Sequence, residues 1–131
     1  MQDISDWLVL IVDDEPDNVG VVELVFEFHN AVVHSAGSGV QCLRLLEDGL
    51  LPNVMLIDIQ MPVMSGYDLL ARIREQERFQ DMPIVAVTAH ARQEDENQIR
   101  TAGFDGYIAK PINVMTIVED VFAIVQEKST N

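Results

Sequence analysis

The chain of 131 residues contains a single cysteine, Cys42. One cysteine excludes an internal disulfide and favours a reducing compartment. Because Cys42 lies in a helical pattern, we expect it to be a small core residue. No apolar run approaches membrane-spanning length, and the amino terminus lacks the basic and apolar regions of a signal peptide. The sequence therefore predicts a water-soluble cytoplasmic protein that does not bind a membrane.

Basic residues are also scarce, since 8 Lys and Arg stand against 22 Asp and Glu, for a formal net charge of −14. No basic cluster interrupts this charge, so direct binding to a nucleic acid backbone is disfavoured. The partners expected from charge are proteins or cations. Apolar residues make up 48% of the chain, enough for a sizeable core. Without repeats or low-complexity tracts, we expect one domain, 1–131, with its core over about 7–128.

Short apolar runs alternate with helical patterns, which is typical of βαβ units and a parallel sheet. Five strands are predicted, at 8–12, 31–35, 54–57, 83–87 and 106–109. The second is more polar and is placed at an edge. Helical periodicity, with start and stop residues, predicts helices at 16 to about 29, 39 to about 48, 67–77, 91–102 and 114–128.

The first and last predicted helices carry broad apolar faces. In the first, six residues are expected to point inward: Val19, Val22, Leu24, Val25, Phe26 and Phe28. In the last, the centre of the stripe is Val114, Val118, Val121 and Val125, with Met115 and Phe122 on one flank and Ile117 and Ile124 on the other. So wide a stripe predicts one partly exposed flank that could dock a partner, although both flanks could instead be covered by neighbouring helices.

Polar side chains stand where four of the strands end. Asp13 and Asp14 follow the first strand, Asp58 the third, Thr88 the fourth and Lys110 the fifth. Ligands bind at the carboxyl ends of parallel strands. Carboxylates gathered there repel one another unless a cation neutralises them, and oxygen ligands favour Mg²⁺, Mn²⁺ or Ca²⁺. The ammonium and the hydroxyl could both bind an anion, and a phosphoryl group satisfies both.

Each of these residues also has a simpler interpretation. Asp13 or Asp14 could merely cap the first helix. The others could be a loop residue, a β-branched strand end and a solvated charge. One cap needs one Asp, however, whereas Asp13, Asp14 and Glu15 crowd a single turn. Their placement together with the other strand-end residues favours a metal site.

This set of strand-end residues resembles the receiver domain of two-component response regulators. The segments 58–66 and 102–111 resemble loops of the same family, and the resemblance covers nearly the whole chain. It implies a flavodoxin-like five-stranded parallel sheet in the order 2-1-3-4-5, with helices on both faces. It also implies a stand-alone, chemotaxis-receiver-like signalling domain that catalyses only its own phosphorylation and dephosphorylation.

The resemblance further assigns roles to residues. Asp58 would accept a phosphoryl group from a sensor histidine kinase or phosphotransfer protein. Mg²⁺, with Mn²⁺ as a substitute, would be bound by Asp14, Asp58 and the backbone carbonyl of Gln60, while Asp13 would act through water. Lys110 would pair with Asp58 and then with the phosphoryl oxygens.

Thr88 would move its hydroxyl onto the phosphoryl group, and Tyr107 would change rotamer with it. This would carry the signal to the face of helix four, strand five and helix five, where a downstream protein or a second copy would bind. Gln60 and His90 occupy positions that vary in the family and influence the phosphoryl lifetime, so that lifetime stays open.

Three alternative functions remain at this stage. A flavodoxin-like FMN carrier could share the fold, but the acidic residues at 13–17 would repel a phosphate. A small phosphatase of the haloacid dehalogenase type would use Asp13 as its nucleophile, but that family has Asp where this chain has Glu15. A passive divalent-ion buffer is the third.

Overall fold

The structure, a computed structural model, describes residues 3–89 and 92–129. Its strands are β1 (Leu8–Val12), β2 (Val32–Ala36), β3 (Val54–Asp58), β4 (Ile84–Thr88) and β5 (Gly106–Ala109). Its helices are α1 (Pro16–Phe28), α2 (Gly39–Glu47), α3 (Gly66–Arg74), α4 (Gln93–Ala102) and α5 (Ile117–Ser129), with a short 3-10 helix at Glu77–Phe79. Within the described ranges, no helix is long and apolar enough to cross a bilayer.

The strands form one parallel sheet in the order β2-β1-β3-β4-β5, which confirms the predicted architecture. Two hydrophobic cores lie on its opposite faces. Leu10 and Val12 belong to the core under α2, α3 and α4, whereas Val9 and Ile11 belong to the core under α1 and α5. This division follows because successive strand side chains point to opposite faces of a sheet.

The apolar face of α1 is narrower than predicted. Val22 and Phe26 are fully buried, but Leu24 and Phe28 are 73% and 82% exposed. Residues two apart lie about 200° apart around a helix, so the two pairs point in nearly opposite directions. The prediction that Leu24 and Phe28 face the core was wrong, because helical periodicity does not say which side meets the sheet.

The last helix begins at Ile117, three residues later than predicted. The Asn113 side chain accepts a hydrogen bond from the Met115 N–H at 2.9 Å, and the Asn113 carbonyl accepts one from the Ile117 N–H at 3.0 Å. These bonds hold residues 114–116 in a turn. Val114, predicted at the centre of the buried stripe, is therefore 48% exposed, and Met115 is 83% exposed.

Both flanks of the α5 stripe have partners inside the domain. Phe122 is half-buried and stacks on Trp7, with ring centroids 5.9 Å apart. Ile124, also half-buried, packs so closely that a Cβ on Gly106 would lie 2.7 Å from its Cδ1. Phe122 and Ile124 are thus partly covered, whereas Met115 on the Phe122 flank is exposed, and docking of a partner on one flank stays a prediction.

Several other boundaries differ from the predictions by one to three residues; for example, β4 covers 84–88 rather than 83–87. The third helix ends at Arg74 rather than at residue 77, and β2 covers 32–36 rather than 31–35. The fourth helix begins at Gln93, and the predicted start at Ala91 lies outside the described residues. β5 begins and ends as predicted.

β2 forms one edge of the sheet and pairs with β1. Val32, His34 and Ser35 of this strand are exposed. Residues 1–43, which supply β1, α1 and β2, contain eight acidic residues and neither Lys nor Arg. All eight Lys and Arg residues follow in 44–131, so the part of the chain that supplies β1, α1 and β2 carries a net negative charge.

Arg74 fastens the end of the sheet at which β4 and β5 begin. Its guanidinium donates hydrogen bonds to four backbone carbonyls, those of Phe79, Gln80, Met82 and Gly103. It also pairs with Asp105 at 3.0 Å. Asp105 in turn accepts hydrogen bonds from the Ile84 N–H at 2.9 Å and from Lys128 Nζ at 2.8 Å. The guanidinium thereby links α3 to the segments that precede β4 and β5, and Asp105 extends the network to Lys128 of α5.

We expect Arg74→Lys to destabilise the protein, because an ammonium lacks the planar five-donor fork that reaches several carbonyls at once. Leaving buried or half-buried acceptors unpaired should lower the free energy of unfolding by roughly 2–3 kcal/mol, measured by urea denaturation. Arg72→Lys, at an exposed position in the same helix, is the matched control and should change it by less than about 0.5 kcal/mol. Equal small effects would contradict the role given to Arg74.

Candidate functional site

The strand-end residues meet at one rim of the sheet. Asp13 and Asp58 are each 2% exposed and Thr88 is 3% exposed, whereas Asp14 is exposed. The Thr88 carbonyl accepts a hydrogen bond from the Lys110 N–H at 2.8 Å, so these two residues are joined through the backbone. The structure therefore brings the predicted carboxylates, hydroxyl residue and lysine to the same end of the sheet.

Lys110 is the cation of this rim. Its Nζ lies 3.2 Å from Asp58 Oδ2, 3.4 Å from Glu15 Oε1 and 3.6 Å from Asp13 Oδ2. Burial disfavours the charged ammonium, but the hydrogen bond to Asp58 and the charges of the three carboxylates together raise the pKa of Lys110. The lysine is therefore protonated and shared among three anions.

Within the described residues, only one of the two carboxylate oxygens of Asp13 accepts a hydrogen bond. Its Oδ1 accepts a hydrogen bond from the Glu15 N–H at 2.9 Å. Its Oδ2 is buried and has no hydrogen-bond donor among the described residues. Burial raises the pKa of Asp13, and the charge of Asp58 adds to this, although the Glu15 N–H and Lys110 act in the opposite direction. A buried carboxylate oxygen without a donor is costly, and a cation would remove that cost.

The cluster fits a divalent cation. Asp13, Asp14, Glu15 and Asp58 each offer a carboxylate oxygen, and these four atoms lie within 4.8 Å of one another. A set made only of oxygen ligands suits Mg²⁺ or Mn²⁺. Glu15 was not among the predicted ligands or lysine partners. Its position beside Asp14 in the sequence was the available signal.

Asp58 is oriented from both sides. Its Oδ1 accepts a hydrogen bond from the Gln60 N–H at 3.1 Å, while its Oδ2 faces Lys110. The loop that follows returns to the strand, because the Gly66 N–H donates to the Ile59 carbonyl at 2.8 Å. A Cβ at Gly66 would lie 2.6 Å from the Asp58 carbonyl oxygen, which is closer than real Cβ atoms come. A glycine is therefore required for this loop to pack against β3.

The tip of the same loop is strained. Val63 has a φ of 70° and a fully exposed side chain, and the Met64 N–H donates to the Pro62 carbonyl at 2.8 Å across it. A left-handed conformation is unusual for a β-branched residue. The loop therefore maintains an unfavourable backbone conformation a few residues beyond Asp58.

A cavity of about 170 Å³ separates the rim from α4. Its walls are Ile59, Gln60, Tyr67, Thr88, Asp95, Gln98 and Ile99. Tyr67 rests edge-on against Phe104 at 5.8 Å, and burial together with the charge of Asp95 raises the pKa of its hydroxyl. The sequence reasoning missed Tyr67, which has no distinguishing motif.

Tyr107, a predicted residue within the described ranges, is not among the residues of this cluster. Tyr107 is half-buried on β5, next to Ala86 in the sheet register. His90 lies outside the described residues. A larger cavity of about 650 Å³ lies at the opposite end of the sheet, beside Asp105 and Lys128. None of the predicted site residues lines it, so we place the functional site at the rim where the charges converge.

Residues 9–122 match the family described as response regulator receiver domain. The polar-differentiation response regulator DivK of Brucella ovis is 33% identical over 113 residues, covering 86% of this chain and 91% of that protein. The response regulator SaeR of Staphylococcus epidermidis is 34% identical over 110 residues, or 84% of this chain. The match spans 46% of SaeR, about half its length.

A solved structure is also similar to this chain. The receiver domain of the sensor histidine kinase PA1611 from Pseudomonas aeruginosa superposes with a TM-score of 0.81 at 29% identity. The match covers 92% of this chain and 98% of that one, and that structure has a magnesium ion coordinated in its active site cleft. The comparisons do not support a flavin carrier or a phosphatase.

We expect Gly66→Ala to destabilise the protein, because the added methyl would clash with the backbone of β3. The free energy of unfolding should fall by roughly 1–3 kcal/mol, the usual size of an overpacking effect. Gly20→Ala is the matched control, since a Cβ there meets nothing within 4 Å and the residue is inside α1. That variant should gain about 0.5–1 kcal/mol. If the close contact at Gly66 were unimportant, urea denaturation would show that both substitutions change the free energy of unfolding in the same direction.

Proposed function

The chain belongs to the family of response regulator receiver domains, and from this premise we propose that Asp58 is the residue that accepts the phosphoryl group. A receiver domain is a phosphoacceptor signalling domain of two-component systems rather than a classical enzyme. The observation that carries the assignment to Asp58 is its geometry. It is the buried carboxylate that contacts Lys110 most closely, and it lies at the carboxyl end of a central strand.

The donor would be a phosphohistidine on a sensor kinase or phosphotransfer protein. A carboxylate oxygen of Asp58 forms a bond to phosphorus while the bond from phosphorus to the imidazole nitrogen breaks, and its electron pair stays on the imidazole. The product is an acyl phosphate. Because the Gln60 N–H already holds one oxygen of the carboxylate, little reorganisation is needed when the donor arrives.

Mg²⁺, or Mn²⁺ as a substitute, is the cofactor that fits this proposal. Asp14, Asp58 and the backbone carbonyl of Gln60 would hold it, with Asp13 acting through water. The buried, donor-free oxygen of Asp13 and the oxygen-only ligand set support this arrangement. When bound, the cation supplies charge neutralisation for the phosphoryl oxygens.

Lys110 would complete the site by exchanging one anion for another. It pairs with Asp58 before the reaction, and after it the ammonium would pair with the phosphoryl oxygens. Positioning and neutralisation are the main requirements of phosphoryl transfer, so these few residues suffice for the domain to promote its own phosphorylation and dephosphorylation.

The response would travel through Thr88 and Tyr107. The Thr88 hydroxyl would move onto the phosphoryl group, and Tyr107 would change rotamer on the neighbouring strand. A face made of α4, β5 and α5 would then bind a downstream protein or a second copy of the chain, in the cytoplasm where the kinase domain acts. The weak attachment of α4 supports this choice, because Ile99 is its one buried residue and Arg92 provides no side-chain cap.

Intact-mass measurement after treatment with acetyl phosphate and Mg²⁺ tests the acceptor. The wild-type chain should gain one phosphoryl group, Asp58→Asn should gain none, and Asp14→Ala should gain less because it weakens metal binding. Asp81→Asn, at an exposed carboxylate on the opposite end of the sheet, is the control and should match the wild type. Normal labelling of Asp58→Asn would exclude Asp58 as the acceptor.

Thr88→Ala separates the chemistry from the response, because Thr88 contacts the phosphoryl group in this scheme but does not attack it. The variant should still be phosphorylated, yet amide hydrogen exchange on β5 and α5 should change less than in the wild type. Thr101→Ala removes an exposed hydroxyl on α4 and should keep the full response. If all three proteins changed equally, the proposed coupling would be wrong.

A further inference from the structure

Glu15 lies at the junction of β1 and α1 and contacts the site in two ways. Its backbone N–H donates to Asp13 Oδ1 at 2.9 Å, and its side-chain Oε1 accepts a hydrogen bond from Lys110 Nζ at 3.4 Å. Glu15 is the N-cap residue of α1, but its side chain makes no capping hydrogen bond. The side chain is thus directed to the lysine, 95 residues away in the sequence, rather than to its own helix.

The burial of the carboxylates around Lys110 distinguishes Glu15 from the other two. The side chains of Asp13 and Asp58 are 0% and 3% exposed, whereas that of Glu15 is 62% exposed. The two buried carboxylates also belong to the proposed cation site. A divalent cation there would compete with the ammonium for their oxygens and repel its charge. Glu15, on the solvent side, is the partner that the ammonium can keep.

We propose that Glu15 is a positioning residue, which holds the Lys110 ammonium at the mouth of the site while the buried carboxylates face a divalent cation. Lys110 is then in place to pair with an incoming phosphoryl group. Glu15 acts through Lys110 and does not touch the phosphoryl group itself. The inference rests on the proposed function, because that function gives Lys110 its phosphoryl-binding role.

Three variants distinguish the effect of the Glu15 charge from the effect of the Glu15 side-chain length. Glu15→Gln removes the charge, Glu15→Asp keeps it on a side chain one methylene shorter, and Asp17→Asn removes a charge from the exposed first turn of α1. The initial rate of Asp58 phosphorylation by acetyl phosphate is measured by intact mass at saturating Mg²⁺. Both Glu15 variants should be slower by roughly two- to fivefold, the size expected of a partly exposed ion pair. Asp17→Asn should not be slower than the wild type. The proposal is overturned if Glu15→Gln behaves like Asp17→Asn.

Metal affinity tests whether Glu15 is a ligand instead. Because its oxygen lies within the carboxylate cluster, a ligand role would weaken Mg²⁺ binding strongly when it is lost. Calorimetric titration of unphosphorylated Glu15→Gln should give a Mg²⁺ dissociation constant within about twofold of the wild type, as expected of a charge outside the ligand set. A loss of about tenfold or more, typical of removing a group that the metal depends on, would overturn the proposal.

Two further readouts report on Lys110 directly. In the Mg²⁺-loaded, unphosphorylated protein, side-chain NMR relaxation of Lys110 should show more motion in Glu15→Gln than in Asp17→Asn. Equal motion of the Lys110 side chain in these two variants would contradict the proposal that Glu15 holds the ammonium in place. In a double-mutant cycle, Glu15→Gln should slow phosphorylation no further once Lys110→Gln is present. An undiminished effect in that background would show that Glu15 acts independently of the lysine.

The labelling pattern distinguishes this inference from the proposed function. If the wild type is labelled at Asp58 and the Glu15 variants react at the wild-type rate, the inference fails and the function stands. If the wild type takes up no phosphoryl group, both fail.

Discussion

An imbalance of charge at one rim of the sheet governs this structure. Parallel strands end together, so the fold that buries Asp13 and Asp58 also brings them close to each other and to one ammonium. Burial of charge and the repulsion between the two carboxylates both make such a cluster energetically unfavourable. The rest of the domain has to hold it in place, through two fully buried central strands and helices on both faces. The site is thus locally unfavourable for stability and suited to binding a cation and an anion.

The two ends of the sheet differ in how completely their polar groups are satisfied. At the end where β4 and β5 begin, Arg74, Asp105 and Lys128 form a network of ion pairs and hydrogen bonds with the backbone. At the other end, Asp13 retains a buried oxygen without a donor among the described residues. A change of charge at the rim can therefore rearrange its neighbours, while the opposite end keeps the strands in register.

The sequence predicted the fold and the rim well because both depend on local patterns. Buried strands appear as apolar runs, and a polar residue at the end of each run marks the rim. The failures concern long-range geometry. The side of α1 that faces water, for example, depends on where the sheet lies. The contact between Glu15 and Lys110 joins opposite ends of the chain, so no short pattern could reveal it.

The net negative charge of the segment that supplies the edge strand β2 has a consequence for association. An edge strand offers unpaired backbone groups to any other strand, and many proteins block such an edge with a bulge, a proline or a covering segment. Here the net negative charge of the segment that supplies β1, α1 and β2 would oppose the approach of a second copy to this edge. Such protection is conditional, because salt shortens the reach of charge, to about 10 Å at 0.1 M. A steric barrier would be indifferent to ionic strength, whereas this one weakens as counterions accumulate.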